Sequence, residues 1–124
     1  MARARRNPIF TAKIGDGIGS IVKTTTPSEH TRTSQVVIEV RGTWNGVTVK
    51  PQISLAYGLA SPSVFTNVQT VKDDGTLADV VITADAVVAL EIPSGVHFTL
   101  AVSSSGSPLP NLNAWAHGDI EAAT

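Results

Sequence analysis

Three histidines, His30, His97 and His117, and ten carboxylates are the groups through which this chain could move protons or hold a metal ion. A metal site needs its ligands at short spacing or brought together by the fold. His30 falls in a polar stretch, whereas His97 and His117 fall on the polar phase of two expected strands and could meet only across a sheet. Solvated surface histidines are the expectation. Asp73-Asp74-Gly75 matches the opening of a calcium loop, but the further Asp or Asn ligands and the closing Glu are missing, so it reads as a turn.

The remaining catalytic patterns are equally incomplete. Gly15-Asp16-Gly17-Ile18-Gly19 is rich enough in glycine to cradle a phosphate, yet no helix follows to present its N-terminus. No serine lies in a nucleophile elbow with a nameable base. Asp79, Asp85 and Glu91 make a sugar-hydrolysing carboxylate pair only by assumption. The expectation is a non-enzymatic protein without metal or cofactor.

Binding chemistry is better represented. Arg3, Arg5 and Arg6 form a basic start that suits an acidic protein surface, and with no interleaved aromatic platform it suits nucleic acid poorly. Pro8 and Phe10 complete a candidate docking segment. Trp44, beside the Asn45-Gly46 turn, and Tyr57 are candidate contacts, and Trp115 would join them in a ring-stacking site; the plainer role for Trp44 is to plug one end of the fold.

The elements that must position these residues are strands. Val47, Val49, Pro51, Ile53, Leu55 and Tyr57 alternate with Thr48, Lys50, Gln52, Ser54 and Ala56, which makes one face apolar and the other polar. Val36, Ile38 and Val40 repeat the pattern, as do Val96, Phe98, Leu100 and Val102. Half-buried antiparallel strands are expected. Residues 35–41 and 47–57 read as a hairpin across the Asn45-Gly46 turn, and residues 9–14 and 18–24 as a hairpin around Gly15-Asp16-Gly17. Pro51 cannot donate a ladder hydrogen bond, which places its strand at an edge or a bulge. Further strands are expected over 64–71, 77–82, 86–92, 96–103 and 112–120. About eight strands at ten-residue spacing, with no helix, indicate an all-β antiparallel sandwich, jelly-roll-like, preceded by an extended N-terminal arm. The arm takes residues 1–10 and a single domain takes 11–124.

At 124 residues with no cysteine, one such core can close without disulfides. The basic N-terminus runs into no signal-like apolar stretch and no segment has the length of a membrane span, so a soluble product is expected. Net charge is −1 but unevenly spread: residues 1–41 hold seven basic and three acidic groups, the rest two and seven. A basic front and an acidic body suit an arm lying on an acidic neighbour, either another protein or a second copy.

The run Val37-Ile38-Glu39-Val40-Arg41-Gly42-Thr43-Trp44-Asn45-Gly46-Val47-Thr48-Val49, followed by Ile92-Pro93-Ser94-Gly95 and Phe98-Thr99-Leu100-Ala101-Val102, resembles small β-sandwich virion proteins of tailed bacteriophages. The likeness is strongest to capsid decoration, or cement, proteins and covers about residues 35–120. It implies a structural role on the outer capsid surface, reached after synthesis in the host cytoplasm. The implied partners are the major capsid protein and the chain itself, as a homotrimer, with no nucleic acid and no membrane. A tail or fibre domain that binds host carbohydrate shares the same pattern and is the alternative.

Overall fold

The computed structural model describes residues 5–13, 17–25, 33–54, 65–103 and 110–122. Among them there is no helix, and so none long and apolar enough to cross a membrane. The strands are β1 (Arg5–Lys13), β2 (Gly17–Ile18), β3 (Val22–Thr24), β4 (Thr33–Thr43), β5 (Thr48–Ser54), β6 (Thr66–Asn67), β7 (Gln69–Val71), β8 (Leu77–Asp79), β9 (Ala86–Pro93), β10 (His97–Ser103), β11 (Asn111–Gly118) and β12 (Ile120–Ala122). One antiparallel sheet runs β1-β11-β4-β9; a second runs β12-β3-β10-β5-β6, with β2 also on β10. β7 and β8 form a separate two-stranded ribbon. The chain is an all-β sandwich.

The core lies between the two large sheets. Val36, Ile38 and Val40 of β4 and Leu112, Ala114 and Ala116 of β11 meet Val22, Val49, Phe98, Leu100 and Val102 of the second sheet, all buried. The period-2 pattern directs these side chains inward because successive residues of a strand point to opposite faces.

Neither expected hairpin forms. β4 pairs with β11 and β9, whereas β5 pairs with β10 and β6, so the chain arches from one sheet to the other between them. The turn itself is as its sequence demands: Asn45 and Gly46 have φ of 50° and 82°, and Val47 N donates to Trp44 O at 3.1 Å. Alternation records that two strands face one core; it is silent on whether they share a sheet. Likewise β1 pairs with β11, while β2 and β3 pair with β10.

The N-terminal segment also departs from expectation. From Arg5 onward it is not a free arm but the outermost strand of the first sheet, with Ile9 and Phe10 both buried and register shifts on either side of Phe10. Two adjacent apolar side chains can enter one core only where a bulge breaks the alternation. In β5 the alternation stops after Pro51: Ser54 is buried and Ile53 only half so. Pro51 O accepts from Val68 N, and because a strand residue turns its N and O to the same side, the missing N–H faces the side where only two-residue β6 pairs. The expected strand at 64–71 breaks into β6 and β7 at Val68, and that at 77–82 shortens to β8 plus a bridge from Ile82 to Val49. The last strand divides at Gly118, where φ is 109° and a Cβ would lie 2.3 Å from Gln35 O. There the chain passes from the first sheet to the second.

Candidate docking surface

On an antiparallel sheet, directly opposed residues share a face. Ala114 and Ala116 point inward, so Trp115 and His117 point outward, and the register builds the outer face of the first sheet around them. One row holds the positions Pro8, Trp115, Glu39 and Val87; the next holds Arg6, His117, Val37 and Ala89. Asn113 and Arg41 continue beside them. Trp115 and Val37 are half-buried by their neighbours, while Pro8, Arg41, Val87 and Ala89 are exposed.

Glu39 organises the charge on this face. Its Oε2 accepts from Arg41 Nε at 2.6 Å and its Oε1 lies 3.7 Å from His117 Nε2. The hydrogen bond and the charge of Glu39 hold the Arg41 guanidinium above its ordinary pKa. The carboxylate thus stands between a guanidinium that it hydrogen-bonds and an imidazole within ion-pair reach.

A second polar cluster holds the ribbon against the sandwich. Asp79 Oδ2 accepts from Asn67 Nδ2 at 2.9 Å and lies 3.5 Å from Lys50 Nζ, and its Oδ1 accepts from Gln69 Nε2 at 3.2 Å. Gln52 Nε2 donates to Asn67 Oδ1 at 2.8 Å, tying the cluster to β5. The bond from Gln69, with those from Asn67 and Lys50, lowers the Asp79 pKa. Beyond it, the ribbon carries Val71 and Leu77 directly opposite each other, 67% and 62% exposed.

The residues singled out in the sequence are dispersed. Asp85 receives Trp44 Nε1 and Gly42 N and lies at the start of β9; Glu91 lies opposite Gln35 near its other end; Asp79 belongs to the ribbon cluster. They do not form a pair. Trp44 packs against the core, the plainer of its two expected roles, and Trp115 is on the outer face, so no strip of rings joins them. Tyr57, His30 and Arg3 lie outside the described residues, and Arg5 and Arg6 are placed by backbone opposite Gly118 and His117. Phe10 is a core residue and not a docking contact.

His97, expected at the surface, is 7% exposed, and its Nδ1 has no hydrogen-bond partner. It stands on the second sheet and His117 on the first, so they do not approach each other across one sheet. Among the described residues no three His, Asp or Glu side chains gather to hold a metal. Asp73-Asp74-Gly75 is a turn: Asp74 Oδ1 accepts from Thr76 N and Oγ1 at 3.0 and 2.6 Å, which lowers its pKa.

The outer face of β4 carries no sequence signal of its own. Val37, Glu39 and Arg41 are the polar phase of the run whose apolar phase signals the strand, and only the register shows Trp115 and Val87 flanking them. No family model, curated protein or solved structure matches the chain. What the fold and its surface define is a small antiparallel β-sandwich that presents a pre-ordered face of mixed charge and apolar character.

Proposed function

We propose that the chain is a non-catalytic structural protein of a bacteriophage virion, which decorates the outer capsid surface by binding the lattice of the major capsid protein and so stabilises the shell. The observation that carries this reading is the outer face of the first sheet, where Pro8, Trp115 and Val37 surround the Arg41–Glu39–His117 charge cluster. Tryptophan and arginine brought together with apolar neighbours on one face are residue types that protein interfaces favour. The sequence resemblance over residues 35–120 supports the same role.

Docking then uses a built surface. Because residues 5–13 are already a strand, binding through Pro8 carries no ordering cost for that segment. A lattice offers many identical sites, so modest affinity per copy suffices to brace neighbouring subunits.

The test is binding of the purified protein to shells of the phage that encodes it, stripped of this chain. Saturation at a fixed ratio to the major capsid protein, with raised thermal resistance of the shell, is the expected result. Absence of saturable binding overturns the reading, and binding to host glycans instead would favour the tail or fibre alternative.

A further inference from the structure

Among the described strands, three of the four outermost ones of the two large sheets are closed to a further strand. β1 carries Pro8 and two register shifts, and β6 and β12 have only two and three residues. β9 is the exception. Its run Ala86-Val87-Val88-Ala89-Leu90 has no proline, no charge and no register shift, and it pairs only with β4. Such an edge is a template for strand addition, which proteins ordinarily blunt.

The register fixes which groups that edge offers. Gln35 O accepts from Asp119 N, just past β11, whereas Gly42 N donates to Asp85 on the β9 side. Successive strand residues turn their N–H and C=O to alternate sides, so Val36, Ile38 and Val40 bond to their partners Leu90, Val88 and Ala86. Val87 and Ala89 therefore turn both backbone groups away from the sheet. The core is open along the same line. Val36, Ile38 and Val40 of β4 are completely buried, whereas Ala86, Val88 and Leu90 opposite them pack on the core only partly buried. Counted from the side where β1 and β12 touch, the second sheet reaches a fifth strand, β6, and the first stops at its fourth, β9. Among the described strands the first sheet has no counterpart to β6.

We infer that this place is filled by an extended segment of the protein docked on the outer face, apolar at every second position, which adds to β9 as a fifth strand. On the shell-binding reading above, on which this rests, the segment belongs to the major capsid protein. Val87 and Ala89 belong to the docking face by their side chains and to the edge by their backbone, so face and edge form one continuous surface. Main-chain bonds to Val87 and Ala89 hold the segment, and its inward side chains cover Ala86, Val88 and Leu90. Exposed Asp85 and Glu91 close the uncharged run at both ends, which favours basic residues flanking the added strand.

Hydrogen exchange at residues 86–91, read by mass spectrometry with and without stripped shells, tests this. The amides of Val87 and Ala89 are expected to slow at least about tenfold in the shell-bound chain. Ala89→Pro removes an N–H that β4 does not use, and is expected to weaken shell binding at least about tenfold more than Ala89→Thr, which keeps it. Circular dichroism of both variants stays that of the wild type. Saturable wild-type binding without slowed exchange, or equal binding by the two variants, would overturn the added strand and leave shell docking standing. Slowed exchange in the concentrated free chain, without shells, would assign the edge to a second copy and overturn it too. A wild-type chain that does not bind shells at all overturns both.

Discussion

Trp44 Nε1 donates to Asp85 Oδ1 at 2.8 Å, and Gly42 N donates to the same oxygen at 3.0 Å. One carboxylate thereby clamps the end of β4, where the chain leaves for the second sheet, to the start of β9. The clamp explains why Trp44 is oriented inward against the core instead of serving as an exposed contact.

Acid sensitivity follows from this clamp and from the ribbon cluster. The bond from Trp44 lowers the Asp85 pKa first, and that from Gln69 lowers the Asp79 pKa first. Groups held below their unfolded pKa leave the unfolded chain binding more protons, so stability is present above the ordinary carboxylate value of about 3.9 and is lost as pH falls through the lowered folded values. Denaturant unfolding of Asp79→Asn/Asp85→Asn across pH 2–6 is expected to show a shallower acid slope than wild type. An unchanged slope would mean these bonds do not bear on folding.

Gly118→Ala is expected to destabilise by about 2 kcal/mol or more, since a positive φ is strained for alanine and its Cβ would meet the carbonyl of Gln35. Urea unfolding midpoints measure it.

Two adjacent buried residues on β10 should respond oppositely to truncation or replacement. Phe98→Ala removes a fully buried ring and is expected to cost roughly 3–5 kcal/mol. His97→Leu removes an unpaired buried nitrogen and is expected to be neutral within about 1 kcal/mol, or stabilising. Thermal unfolding of the two variants separates them.

Asp79 gathers the side-chain bonds that join the ribbon to β5 and β6, so Asp79→Ala should speed amide exchange at Gln69–Val71 and Leu77–Asp79 while leaving β4, β10 and β11 protected. Equal exchange across ribbon and core would contradict that division.

The apolar phase of β4, β10 and β11 was legible because burial imposes a period of two, and Val36, Ile38, Val40, Phe98, Leu100 and Leu112 are all inside. Strand pairing was not legible at the Asn45-Gly46 turn, whose backbone angles suit a hairpin but whose flanking strands pack face to face in different sheets. Phe10 was misread because the basic residues before it imply solvent, whereas a bulge turns it inward. His97 was misread because β10 is buried on both sides over His97–Leu100. The docking face escaped notice for a related reason: its residues come from β1, β4, β9 and β11, and only long-range register makes them neighbours.

Docking through the outer face of the first sheet is decided by binding of face variants to stripped capsid shells. Trp115→Ala with Arg41→Glu changes the outer face of the first sheet, and Thr48→Ala with Lys50→Ala changes the second sheet as a control. Co-sedimentation is expected to fall for the first pair and to be retained for the second, with both variants folded. Loss of binding in the control pair with retention in the first would contradict it.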